Sequence, residues 1–370
     1  MLENYLKDLA ELVNCDCGTA NCAGVTTVAR IMKRHFDEIG FHTELVDFGN
    51  QAGQGLFATN KPGAKTFDVL LNAHLDTVFP DGTAAARPMS REGDLIRGPG
   101  CSDCKGGVLA IFYALKNARP EDLDRLSIAV CLNPDEEIGS LHSRHWLIDM
   151  AKKSKRALVF ESARANGELV RARKGRACYR VTFKGVSAHA GNNPQDGRSA
   201  VLAACRFALA ADQLQNLQQT GSSVNVVVRE GGTVPNVVPD TCVLLFDTRF
   251  WTTEEAERLR QGFAQLAKNT WGPDITVTCE QTSYSPPMPY TDATKHLIRL
   301  IEEAARLEGF SLSWIDAGGG SDGNRMAFVG IPVIDGLGPA GAGAHTDREF
   351  LRVDTVEDRI RMVSRFFSLI

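Results

Sequence analysis

The sequence predicts an α/β protein, a mostly parallel sheet sandwiched by helices, with an inserted βαββαβ unit of the ferredoxin-like kind. Three observations carry that prediction. Apolar runs of strand length alternate with helix-length runs up to about Lys174, the order changes there, and alternation resumes from about Thr291. The 370 residues are also long enough for two domains, each with its own core.

Taken in order, residues 3–12 and 26–39 read as helices, with Gly40 as the stop signal of the second. Strand-like runs follow at residues 42–48 and 55–60, then the run from Asp68 that ends at His74. Residues 108–116 form the next predicted helix, with Ser102 and Asp103 as candidate N-caps. A strand from Ser127, a helix over about 139–151 and a strand from Arg156 complete the alternation, which calls for a parallel sheet covered on both faces.

The insert reads as strand 176–184, helix 199–217, strands 222–229 and 241–250, helix 253–268 and strand 275–280, an order that can fold alone. The expected division is therefore 1–174 with 284–370 as one domain, and 175–283 as a second domain inserted into it. A helix over 291–307 and the turn Gly318-Gly-Gly-Ser-Asp lead back into the first domain.

Net charge is −4 with Lys and Arg scattered, so there is no electrostatic footprint for nucleic acid. Nothing approaches a membrane span, and the N-terminus lacks the apolar stretch of a signal peptide, which makes a cytoplasmic location the expectation. Ten cysteines do not make a disulfide scaffold in a chain of this length; Cys131, Cys178, Cys205, Cys242 and Cys279 read as reduced thiols within elements. Cys15, Cys17 and Cys22 lack the paired spacing of a zinc site. Cys101 and Cys104 have one such pair without a second, and they read as shaping the turn around Asp103.

Chemistry concentrates at strand ends. The run from Ser127 ends in Asp135, Glu136 and Glu137. Adjacent carboxylates raise each other's pKa unless a cation lies between them, a divalent metal above all; for this stretch alone a solvated acidic turn is the favoured reading, and the other strand ends shift the balance to metal. Three other strands deliver His74 and Asp76, Glu161, and a loop with His345 and Asp347; Asp103 lies in a Gly-rich turn over 98–107. In open α/β sheets ligands bind beyond the carboxyl ends of the strands, and oxygen with imidazole is a zinc-type donor set. His142 and His145 read as an exposed helix face, His35, His42 and His296 as ordinary residues, and Asp322 and Asp347 as turn formers.

The motifs His74-Leu-Asp76-Thr, Gly98-Pro-Gly-x-Ser-Asp103-x-Lys-Gly-Gly, Asp135-Glu136-Glu137-x-Gly, Phe160-Glu161, Gly185-x-Ser-Ala-His189-Ala-Gly and the His345 loop are specific as a set. Through them, nearly end to end, the chain resembles the zinc-dependent metallo-exopeptidases that include glutamate carboxypeptidases of the carboxypeptidase G type, acetylornithine deacetylase and succinyl-diaminopimelate desuccinylase. The stretches around Asn236, Asp247-Thr-Arg249 and Gly318-Gly-Gly-Ser-Asp are most similar to the glutamate carboxypeptidase branch. The resemblance implies a zinc-peptidase-like catalytic domain holding two zinc ions bridged by Asp103, with cobalt or manganese as substitutes. His74 and Glu161 would complete one site, Glu137 and His345 the other. Asp76 would orient His74, Glu136 would be the general base, and His189 would stabilise the oxyanion, reaching the partner subunit's site in a homodimer. Arg249 and Asn236, with Gly319 and Gly320, would hold the substrate. The segment after Glu161 is about one residue shorter than in the carboxypeptidase G enzymes, and a lysine of theirs has no counterpart there.

Elementary chemistry agrees with that reading. Two cations polarise a carbonyl and lower the pKa of bound water to ~7. Glu136 is then left to shuttle the proton to the leaving amine. The fork of Arg249 suits a carboxylate, with Asp247 as its competing partner. The expected function is hydrolysis of the amide bond next to a free C-terminal carboxylate. An N-acyl-amino-acid deacylase and a short-peptide aminopeptidase are the alternatives. A metal-bearing protein that only binds peptides is disfavoured by the presence of both Glu136 and His189.

Overall fold

The structure, a computed structural model, describes residues 1–370. It divides into two compact units, one of Met1–Ala172, Tyr290–Ala317 and Ser321–Ile370, the other of Arg173–Pro289 with Gly318–Gly320.

The first unit is built on a six-stranded sheet in the order His42–Val46, Gly55–Thr59, Ile128–Asn133, Val69–His74, Ala157–Val159, Val333–Ile334. The last four are mutually parallel and the first two join antiparallel, so the mostly parallel expectation holds. All six residues of Val69–His74 and of Ile128–Asn133 are buried, the signature of strands covered on both faces. The helix Gly106–Asn117 is buried from Gly106 through Leu115, as expected of a helix that is apolar all round. Gly107 lets it approach the sheet: a Cβ there would lie 1.8 Å from the Phe160 carbonyl oxygen.

In this unit two helix starts differ from the sequence expectation for a local polar reason, and one expected pair of caps is not used. The second helix starts four residues early, at Cys22, because the Asn21 side chain caps the Gly24 amide at 2.8 Å. The helix expected over 139–151 starts at Arg144, because Asp135 folds the preceding residues into a turn: its carboxylate accepts the His142 amide at 2.7 Å and its carbonyl the Ser140 amide at 2.8 Å. Ser102 and Asp103 are not N-caps. They lie in a wide turn, Cys101–Lys105, and the helix begins after Lys105 with no side-chain cap.

The second unit is a four-stranded antiparallel sheet in the order Ser223–Gly231, Thr241–Phe250, Gly175–Lys184, Thr276–Ser285. With the helices Ala200–Asp212 and Thr253–Lys268 this is the split βαβ arrangement. Its core is aromatic: Phe183, Phe207, Phe246 and Phe263 are buried together, and Tyr179 stacks on Phe263 with centroids 4.3 Å apart. The first of these helices ends at Asp212, five residues short of the expected end. No helix of either unit is long and apolar enough to cross a membrane.

Candidate metal centre

In the first unit the strand ends converge as the sheet topology requires. Val69–His74 and Ile128–Asn133 are parallel neighbours in register from Val69↔Ile128 to His74↔Asn133, so His74, Asp76, Glu136 and Glu137 leave the same edge. The Gly-rich turn brings Asp103, the end of Ala157–Val159 brings Glu161, and the loop after Gly338–Ala342 brings His345.

Asp103 lies between the two imidazoles. His74 Nε2 is 3.1 Å from its Oδ1, and His345 Nε2 is 3.2 Å from its Oδ2. His74 Nε2 is also 3.8 Å from Glu161 Oε2, and His345 Nε2 is 3.0 Å from Glu137 Oε2. The other ring nitrogen of His74 donates to the Asp76 carbonyl oxygen at 3.0 Å, beside Asp76 Oδ1 at 3.3 Å. That fixes the tautomer and aims the Nε2 lone pair at carboxylate oxygens. Lone pair facing lone pair is stable only with a proton or a cation between them, so this donor set fits a metal pair.

The titration behaviour says the same. Burial, reinforced by Glu161 and Asp322, pushes the Glu136 carboxyl well above its ordinary value, and burial takes Glu137 to about 7. The hydrogen bond with Asp103 raises His345 to about 9. Asp103 itself, though buried, is held below the usual carboxylate range by its bonds to His345 and His74. Protons here occupy the place of positive charge. His345 reaches in from the surface, with its backbone in the left-handed region at φ 65°.

Several residues support the site in ways the sequence did not show. Glu349, four residues beyond His345, is buried and accepts the amides of Gly100, Ser102 and Asp103 at 2.9, 2.8 and 3.0 Å. It clamps the turn that carries Asp103. Asp322, expected as a turn former, is buried and accepts from Asn133 Nδ2 at 2.6 Å and from Ser140. Cys104 donates to the Phe160 carbonyl at 3.0 Å, and its sulfur lies within 4.8 Å of ligand atoms of His74 and Glu161. Only an Asp or Glu at a long sequence separation could have hinted at the first two, and nothing in their local patterns does.

The second unit holds the residues assigned to substrate. His189 and Asn236 share a small ribbon, Ala188–His189 paired with Val237–Val238, and the Ala190 amide donates to the Asn236 carbonyl at 2.9 Å. His189 Nδ1 accepts the amides of Gly191 and Asn192, both at 3.1 Å, which leaves Nε2 as a donor; the side chain is exposed. Arg249 pairs with Asp247 through Nε at 2.7 Å and Nη2 at 3.3 Å, the competing partnership weighed from sequence. Arg176 shares the same carboxylate, so two cations face one anion. Arg249 Nη1 also donates to the Gly318 carbonyl and Arg173 to that of Gly319, each at 3.2 Å, while Gly318 and Gly319 have open space where a Cβ would lie.

The model of Peptidase family M20/M25/M40 matches residues 70–368, which include this whole constellation. The chain belongs to that family. It is an M20 hydrolase of the metallopeptidase kind, as the motifs implied. This M20 chain is 29% identical over 369 residues to carboxypeptidase G2 of Pseudomonas sp. (strain RS-16), covering 97% of this chain and 88% of that protein. It is 28% identical over 358 residues to a succinyl-diaminopimelate desuccinylase of Acidovorax ebreus (strain TPSY), covering 88% of each. Among solved structures it is similar to aminopeptidase PepT from Bacillus cereus ATCC 10987, with TM-score 0.77 at 24% identity, covering 99% of this chain and 98% of that one; the M20 fold is shared end to end.

Proposed function

We propose that this M20 hydrolase is a dinuclear metallo-exopeptidase or amidase that cleaves the amide bond next to a free C-terminal carboxylate. The observation that carries the reading is Asp103, whose two oxygens each face a different imidazole while Glu137 and Glu161 close in on either side. His74, Asp103, Glu137, Glu161 and His345 would hold two zinc ions, or cobalt or manganese in their place. When bound, the ions supply Lewis acidity toward the scissile carbonyl and make water more acidic.

The side chains supply the rest. Glu136 takes the proton of the attacking water and delivers it to the leaving amine. His189 offers an exposed Nε2–H to the developing oxyanion, and the Asn236 amide lies on the same ribbon. Arg249 holds the terminal carboxylate. Its support is the cation excess of Arg176 and Arg249 over Asp247, which leaves room for a second anion. The desuccinylase likeness keeps a second reading alive, an N-acyl-amino-acid deacylase with the same machinery.

The second unit also supports a homodimer. Its edge strand exposes Val227 and Val228 at 53% and 67%, and the helix Ala200–Asp212 exposes Leu202 and Leu209 at 57% and 71%. An apolar, unpaired strand edge calls for a cover, and a second copy of the chain is the occupant we propose.

A pooled screen of dipeptides and N-acetyl-amino acids, with and without chelator, tests the function, mass spectrometry showing which bond is cut. Release of C-terminal amino acids from dipeptides, lost on chelation, is the expected result. Turnover of acetyl substrates alone would install the deacylase reading, and no turnover with zinc added would overturn both.

A further inference from the structure

The loop between the helices Leu2–Val13 and Cys22–Glu38 carries two free cysteines, Cys15 and Cys17, and several of its polar contacts run toward the segments that carry Asp76 and Asp103. The Thr77 amide donates to the Cys17 carbonyl at 2.9 Å and the Thr19 amide to the Thr77 carbonyl at 3.1 Å, so Gly18 and Thr77 pair like strands. Only glycine fits between them, since a Cβ on Gly18 would lie 2.3 Å from the Phe79 carbonyl oxygen. Asp16 accepts the amides of Gly82 and Ala84 at 2.7 and 2.8 Å. The buried Lys105, two residues past Asp103, donates to the Cys15 and Pro99 carbonyls, both at 3.1 Å. The loop is thus pinned to the segment after Asp76 and to the turn of Asp103. What this pinning delivers is the Thr19 hydroxyl, 2.6 Å from Asp76 Oδ2.

Asp76 is fully buried and does more than face His74. Its Oδ1 accepts the Glu136 amide at 3.1 Å and lies 3.3 Å from His74 Nδ1, and its Oδ2 accepts the Glu137 amide at 3.2 Å. One carboxylate thereby sets an imidazole and the main chain of two acids. The Thr19 bond is the shortest of the four contacts and is an O–H···O⁻ bond, the charge-assisted kind. Without it Oδ2 keeps one long amide contact, and a buried carboxylate oxygen left short of donors turns to find others.

We propose that Thr19 is a positioning residue of the metal centre: its hydroxyl locks the rotamer of Asp76, and through Asp76 the ring of His74 and the backbone of Glu136 and Glu137. The proposal rests on the metal-hydrolase reading above. It touches no metal or substrate itself. It also assigns a use to the cysteine-bearing loop, through its main chain and Thr19.

The test compares Thr19→Val, which keeps the shape, with Thr19→Ser, which keeps the hydroxyl, in the full chain. Zinc affinity is measured by competition with a chromophoric chelator, alongside the thermal midpoint of the metal-free protein. Removing an outer partner of a metal-ligating histidine lowers affinity by about 10- to 100-fold. Thr19 acts one contact further out, on Asp76, so a loss of about tenfold, the lower end of that range, is expected for Thr19→Val with Ser restoring the wild-type value. On any substrate turned over, kcat should fall with KM unchanged. Should Thr19→Val fold poorly, Thr19→Ala removes the same hydroxyl with less bulk and the same loss is expected. Wild-type zinc affinity in Thr19→Val, or equal losses in Val and Ser, would overturn the proposal. A wild-type protein that binds no zinc would instead sink the metal-centre reading, so the two failures are told apart.

Discussion

In the first unit the assigned side chains are fixed by other buried groups, whereas in the second they stand exposed on main-chain scaffolds. His74 and Asp76 are 1% and 0% exposed and Glu349 accepts three amides from the Asp103 turn. His189 and Asn236 are exposed, and Arg249 is 30% exposed with its carboxylate partner already shared. The difference fits the two tasks. A metal pair needs ligands held to within a fraction of an ångström, and groups that meet a variable substrate need access and some give. Only His345 crosses the pattern, a half-exposed side chain among buried partners.

The comparison is broken most severely at Asp103. Its two oxygens serve both imidazoles, so Asp103→Asn should release both ions and abolish turnover, as should a chelator acting on the wild type. Loss of one ion with activity retained, read by metal analysis, would remove the bridging role. Next comes Glu136→Gln, which keeps the shape and removes the carboxylate proposed as the base. Turnover should fall by a factor on the order of 10²–10⁴ with metal content unchanged. Metal loss instead would mean that Glu136 and Glu137 have exchanged roles.

In the second unit the largest effect is expected at Arg249. A charge-assisted hydrogen bond is worth roughly 1.5–3 kcal/mol, so Arg249→Ala should lower kcat/KM by about 10- to 150-fold. The loss should nearly vanish on a substrate whose terminal carboxylate is amidated. Because Asp247 already occupies Arg249, an equal loss on both substrates would make the pair a strut of the sheet.

The strand-end acids and histidines were legible because each follows an apolar run of strand length, and the sheet topology then forces them to one edge. The boundaries that shifted at Cys22 and Arg144 are set by local polar contacts that periodicity does not register: the Asn21 cap extends one helix backward, and the turn held by Asp135 delays the other. Thr19 and Glu349 were invisible for a different reason. Their partners lie 57 and about 246–249 residues away, and neither local sequence carries a mark of function. Arg249 was legible as a cation in need of an anion, and its pairing with Asp247 was one of the two answers the sequence left open.

A smaller, graded effect follows from pH. Glu137 is raised to about 7 by burial and His345 to about 9 by its bond with Asp103, so both retain protons at about pH 6 in the metal-free protein. Metal must displace those protons. Affinity should therefore fall as pH drops below about 9, where His345 takes up its proton, and more steeply below about 7, where Glu137 does, by up to about tenfold per pH unit for each proton displaced. Competition with a chelating dye at pH 6 and pH 8 checks the sign, and a pH-independent affinity would mean that these groups do not ligate.

The smallest effect sharpens the comparison by leaving the metal alone. The helix Ala200–Asp212 of the second unit is capped by Ser199, whose hydroxyl accepts the Leu202 amide at 3.2 Å. Replacing an N-cap serine by alanine costs about 1 kcal/mol. Ser199→Ala should lower the unit's stability by that amount in a denaturant titration, while zinc stoichiometry and affinity stay at wild-type values. The reason is separation of support: the bonds that fix His74, Asp76 and Asp103 come from Thr19, Glu349 and the strand ends, all within the first unit. A change in zinc affinity on Ser199→Ala would show that the insert's stability feeds into the metal centre, and the division of labour between the units would have to be given up.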